Sequence, residues 1–123
     1  MTCATREVLT LTRSRLAPAK ARQAVHDFAT AVHPASAWTA ELLASELVTN
    51  AVTHGRGAVR LVMEYDVDGL AVTVSDDEPA TPVMSEASPS GTGGRGLRLV
   101  DVLASKWGVT PARPGKEVWF RLG

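Results

Sequence analysis

The chain has 123 residues, is 45% hydrophobic and 21% charged, and balances thirteen basic side chains against thirteen acidic ones. That length suits one domain with a real core, and the balanced charge offers no field to draw nucleic acid or an anionic membrane surface. One cysteine, Cys3, excludes an intrachain disulfide and a thiolate metal cluster. The first residues lack an apolar leader core and no apolar run approaches bilayer-spanning length, so a cytoplasmic protein is expected.

In chain order, Arg6 to Arg13 reads as a first strand, with Val8, Leu9 and Leu11 among threonines. Pro18 then marks a helix start, and Ala21, Val25, Phe28, Ala29 and Val32 recur at helical spacing up to His33-Pro34, which breaks the helix. Glu41 to Gly57 organises the rest of the chain. It predicts a long helix, with Ser36 as its N-cap and Gly55 and Gly57 as its stop. Ala40, Leu43, Ala44, Leu47, Val48, Ala51 and Val52 share one broad apolar arc. The opposite stripe carries Glu46, Thr49, Asn50 and Thr53, with Glu46 and Asn50 one turn apart. Thr and Asn are mediocre helix formers, so this stripe is either a plain solvated face or one chosen for chemistry.

Val59, Leu61, Met63 and Tyr65 alternate with more polar residues, as do Leu70, Val72 and Val74, and Asp68-Gly69 between them marks a hairpin. Pro79 to Gly96 is aperiodic and rich in Pro, Ser, Thr and Gly, which reads as a lid or as a floppy insertion. Leu97 to Ser105 is a short third helix, and Trp107–Thr110 with Glu117–Leu122 forms a closing hairpin around Pro111 to Gly115. Trp119 and Arg121 point away from the side of Val118, Phe120 and Leu122. The predicted fold is α+β: a two-layer sandwich in which a mixed, mostly antiparallel sheet carries about three helices on one face.

Gly91, Gly93 and Gly96 satisfy G-x-G-x-x-G as a string, but no strand precedes them and Leu97-Arg98 follows instead of Lys-Ser or Lys-Thr. A dinucleotide fingerprint and a Walker loop are both excluded. Glycines entering a helix N-terminus can still expose backbone N–H groups to phosphate oxygens, and a flexible linker is the alternative. Asp76, at the end of a strand, is either an acceptor for a ligand amino group or, if exposed, a turn former, with Asp77 the better turn residue. His26 and His33 read as surface residues. His54, close to the polar stripe, is a candidate to support the ligand groups. No Ser-His-Asp or Cys-His arrangement is legible.

Three segments together, ELVTNAVTHG (46–55), VSD (74–76) and GRGLRLV (94–100), resemble the ATP-site boxes of the GHKL superfamily, the Bergerat-fold group of gyrase, heat-shock chaperone, histidine-kinase and MutL ATPases. The ending WGV…GKEVWFRL is similar to the anti-sigma-factor serine/threonine kinase branch, above all its small actinobacterial ATP-binding proteins. The resemblance covers roughly Pro18 to Leu122. It implies ATP and Mg²⁺ as cofactors, Asn50 on the metal, Glu46 as general base and Asp76 on the adenine amino group. It further implies that Gly94, Arg95, Gly96 and Leu97 meet the phosphates at the third helix, under a lid over about 79–96. Two departures stand out: Glu78-Pro79 where the family commonly has a glycine, and Lys116-Glu117 where it often has a threonine.

The resemblance implies a protein serine/threonine kinase that phosphorylates a STAS-domain anti-sigma antagonist. The alternative is a non-catalytic, nucleotide-gated switch that holds a sigma factor or antagonist. A histidine-kinase sensor fragment is disfavoured, since 123 residues leave no room for a phosphoacceptor domain. Trp119 and Arg121 are candidates for a partner or homodimer surface.

Overall fold

The computed structural model describes residues 5–79 and 95–123. Cys3, most of the predicted lid, and Gly91, Gly93 and Gly94 lie outside the described residues, and of Arg95 and Gly96 only the helical backbone is described. The element order is β1 (Thr5–Leu11), α1 (Ala17–Val32), a 3₁₀ turn (Pro34–Ser36), α2 (Ala37–His54), β2 (Val59–Asp66), β3 (Gly69–Asp76), α3 (Arg95–Leu103), β4 (Lys106–Pro111) and β5 (Lys116–Leu122). Five strands form one sheet in the order β1-β2-β3-β5-β4.

Every neighbouring pair in that sheet is antiparallel, so the predicted mixed sheet is corrected to a fully antiparallel one. The connections give the reason. Two helices between β1 and β2 return the chain in the opposite direction. One helix between β3 and β4 leaves those strands pointing the same way, but the final hairpin inserts β5 between them.

Alternation puts Leu61 and Met63 of β2, Leu70, Val72 and Val74 of β3, and Val118, Phe120 and Leu122 of β5 on the buried side. Against them α1 packs Ala21, Val25, Phe28 and Ala29, and α2 packs Ala40, Leu43, Ala44, Leu47, Val48 and Ala51, in one cluster. Val52, predicted in the same arc, is half-buried against this core.

Ser36 does precede α2, but its backbone is already helical and its side chain makes no capping bond. The 3₁₀ turn runs straight into the helix and leaves no extended residue to cap it. Gly55 does end α2, though in an extended conformation (φ −88°) rather than a left-handed one. His33 also departs from its surface reading. It is half-buried, its ring lies 5.7 Å from that of Tyr65, and its Nδ1 has no partner. Among the described residues no helix covers the other side of the sheet. There Trp119 is half-buried against Gly108, and Arg121 Nη1 pairs with Asp66 Oδ1 at 3.3 Å. Among the described residues no helix is long and apolar enough to cross a membrane.

Candidate functional site

The period-two register that builds the core also builds the site. On β3 the inward positions run Leu70, Val72, Val74 and then Asp76; on β5 they run Leu122, Phe120, Val118 and then Lys116. The antiparallel register sets Asp76 opposite Lys116, so an apolar stripe ends in two facing charges on the helix side of the sheet. Asp76 is 5% exposed and Lys116 7%. Lys116 Nζ donates to Asp76 Oδ1 at 3.1 Å, to Oδ2 at 3.2 Å and to the Glu78 carbonyl at 3.0 Å. The Glu78 N–H donates to Asp76 Oδ1 at 2.7 Å. Two buried charges are tolerable here because each compensates the other and the Glu78 backbone bonds to both. Asp76 is therefore a buried acceptor. It still closes a local turn through the Glu78 N–H.

The end of α2 closes over this pair. A Cβ on Gly55 would lie 2.6 Å from Asp76 Cγ and would also strike the Ala51 carbonyl oxygen, so only a glycine lets the helix end approach the carboxylate. The Ala51 carbonyl accepts the Gly55 N–H at 2.9 Å and Arg13 Nη1 at 2.6 Å, which satisfies an acceptor the helix end would leave open. Beyond it, the Asp77 N–H donates to the Arg56 carbonyl at 2.7 Å, and Arg56 Nη2 pairs with Glu78 Oε2 at 2.7 Å. The segments after α2 and after β3 are thus tied together beside Asp76. On the β5 side, Gly115 (φ +88°) has its Cα against the Asp76 carbonyl oxygen, and an added Cβ would lie 2.6 Å from Asp77 Cα.

Going back along α2 from Gly55, His54 is exposed, whereas Asn50 and Glu46 are half-buried. At about 1.5 Å per residue, Asn50 sits roughly 7 Å and Glu46 roughly 13 Å before Gly55 along the helix. Among the described residues neither side chain makes a hydrogen bond or an ion pair. Their polar neighbours differ. Ser45 Oγ donates to the Leu42 carbonyl at 2.9 Å and Thr49 Oγ1 to the Ser45 carbonyl at 2.7 Å. Thr49 is thus bonded to its own helix, whereas the Asn50 amide and the Glu46 carboxylate are left available among the described residues. On α3, Leu97 is 2% exposed and its side chain belongs to the core, so only its backbone can meet a ligand.

No three His, Cys, Asp or Glu side chains among the described residues gather into a metal site. A cation here would be held by few protein oxygens, with the remainder from its ligand or water. His26 lies away from this region, its Nδ1 2.8 Å from Glu41 Oε2. That bond and the adjacent negative charge raise its pKa above the ordinary histidine value.

Sequence reasoning singled out Asp76, Asn50 and Glu46, and noted Lys116 and Glu78 only as departures. The signal for Lys116 was present in the inward parity of β5, counted back two residues from Val118. The role of Gly55 as the floor over Asp76 left no signal beyond a helix stop. Residues 12–122 match the model of the histidine kinase-like ATPase domain. No curated protein matches the chain at a significant level.

Proposed function

The chain belongs to the histidine kinase-like ATPase family, and on that premise we propose that it binds Mg-ATP and transfers the terminal phosphoryl group to a serine or threonine of a STAS-type anti-sigma antagonist. The observation that carries this reading is the helix end at Gly55 packed on the buried Asp76 carboxylate, with Asn50 and Glu46 on the same helix and without a side-chain partner among the described residues.

The residues fit the ligand. Among the described residues Asp76 Oδ2 accepts one hydrogen bond, from Lys116, whereas a carboxylate oxygen has two acceptor sites, so capacity remains for the amino group of adenine. Asn50 offers a hard amide oxygen with no partner to displace among the described residues, which suits Mg²⁺. Bound magnesium supplies positive charge that offsets the phosphate oxygens. Glu46, one turn before Asn50, accepts the proton of the attacking hydroxyl. The N-terminus of α3, at Arg95, Gly96 and Leu97, offers backbone N–H groups to the phosphates, and Gly94, which precedes it in sequence, lies outside the described residues. His54, the last residue of α2 and exposed, is proposed to support the ligand groups.

Incubating the protein with Mg-ATP and a cognate antagonist tests this: phosphoprotein is expected with the wild type and not with Glu46→Gln. A stable partner complex that forms with both proteins and yields no phosphoprotein from either would instead establish the non-catalytic switch. The sheet face around Trp119 and Arg121, which no helix covers among the described residues, is proposed as a homodimer or partner surface. Sedimentation equilibrium at micromolar concentration tests the first of these, and a monomer would exclude it.

A further inference from the structure

Lys116 is the feature that the proposed chemistry does not use. A buried ammonium opposite the base-reading carboxylate is costly unless it has work beyond filling space, because an apolar pair of similar volume would stand there at least as stably. Its geometry indicates that work. An ammonium has three N–H donors and no acceptor. The carboxylate oxygens of Asp76, at 3.1 and 3.2 Å, can share one N–H, and the Glu78 carbonyl, at 3.0 Å, takes a second. One donor then remains on the ammonium, and Asp76 Oδ2, 3.2 Å from Nζ, keeps one acceptor site.

An acceptor with a donor next to it is the complement of the amidine edge of adenine, where an exocyclic amino group adjoins an unprotonated ring nitrogen. The Glu78 carbonyl and the Asp76 carboxylate hold the ammonium from two sides, and the Arg56–Glu78 pair at 2.7 Å fixes the segment that supplies the carbonyl. Lys116 is thus restrained where a single long side chain would otherwise wander.

We propose that Lys116 is a second base-reading residue, donating its third N–H to the ring nitrogen N1 of adenine while Asp76 accepts from the adjacent amino group. This rests on the nucleotide-binding reading above. The contact is charge-assisted and buried, so its loss is expected to weaken binding roughly 10- to 100-fold.

The test is calorimetric titration of the wild-type protein with Mg-ATP, with the triphosphate of 1-deazaadenosine, which replaces N1 by C–H, and with purine riboside triphosphate, which lacks the amino group. The proposal expects both analogues to bind at least tenfold more weakly than ATP. It also expects Lys116→Met to bind ATP and the 1-deaza analogue within about twofold of each other. Should that variant fail to fold, the wild-type comparison decides alone. Equal wild-type affinity for ATP and the 1-deaza analogue, with the amino-less analogue still weakened, overturns the role of Lys116 and leaves the nucleotide reading intact. Absence of binding by all three overturns both.

Discussion

Replacing Lys116 by methionine keeps most of the side chain's bulk and removes the charge facing Asp76. Three contacts vanish, at 3.1 and 3.2 Å to the Asp76 carboxylate and at 3.0 Å to the Glu78 carbonyl. With Asp76 only 5% exposed, water cannot fully replace the ammonium. Removing one partner of a buried pair costs about 3–5 kcal/mol. Because the Glu78 N–H still serves Oδ1 at 2.7 Å, the lower end, about 3 kcal/mol, is expected. That is a large share of a total stability of about 5–15 kcal/mol. Asp76→Asn leaves the opposite charge unbalanced, and the double variant leaves neither. The double loss should therefore fall short of the sum of the single losses by about 1–3 kcal/mol. Urea unfolding of the four proteins at neutral pH without nucleotide measures this cycle. A loss below about 1 kcal/mol for Lys116→Met, or strict additivity in the double variant, would refute the pairing as a structural element.

Two further predictions concern the end of α2 and the His26–Glu41 pair. Gly55→Ala places a methyl group 2.6 Å from Asp76 Cγ, so the helix end must shift. A stability loss of about 1–3 kcal/mol is expected, together with weaker nucleotide binding, and thermal melting with calorimetry reads both. His26 has a raised folded-state pKa, chiefly through its hydrogen bond to Glu41. Its contribution is therefore fully present below the unfolded histidine pKa of about 6.5 and is lost as pH rises through the folded value. In NMR titrations His26 should titrate above the ordinary histidine value in the wild type and fall back toward it in Glu41→Gln; an unchanged midpoint would contradict the pairing.

Much of the fold was legible because the strands alternate and the helices repeat without conflict. Leu61 and Met63, Leu70 and Val72, and Val118 and Phe120 announce their buried side directly. Sheet direction was less legible, because where β5 inserts is decided by pairing across the chain and not by any local pattern. Ser36 shows the limit of cap signals: the residue type suits an N-cap, but the preceding turn had already committed its backbone to helix.

The candidate site divides in the same way. Glu46 and Asn50 were visible because Thr and Asn are odd choices for the stripe they share, and the structure adds that neither has a partner among the described residues while Thr49 does. The burial of Asp76 followed from the parity of β3, yet a strand-end aspartate suggests a turn when read alone, and it also makes one. Lys116 looked like a foreign residue in a familiar stretch. Only the register with β3 turns that departure into a contact. His33 was misread because its burial depends on Tyr65, a residue far along the chain.

The central claim is that α2 and β3 together hold a magnesium nucleotide. Titration calorimetry with ATP, with and without Mg²⁺, on the wild type and Asn50→Ala tests it most directly. The account predicts magnesium-dependent binding that Asn50→Ala weakens at least tenfold without altering the far-UV circular dichroism, consistent with the loss of a charge-assisted ligand contact. Absence of binding by the wild type at millimolar nucleotide, or binding indifferent to both magnesium and Asn50, would contradict it.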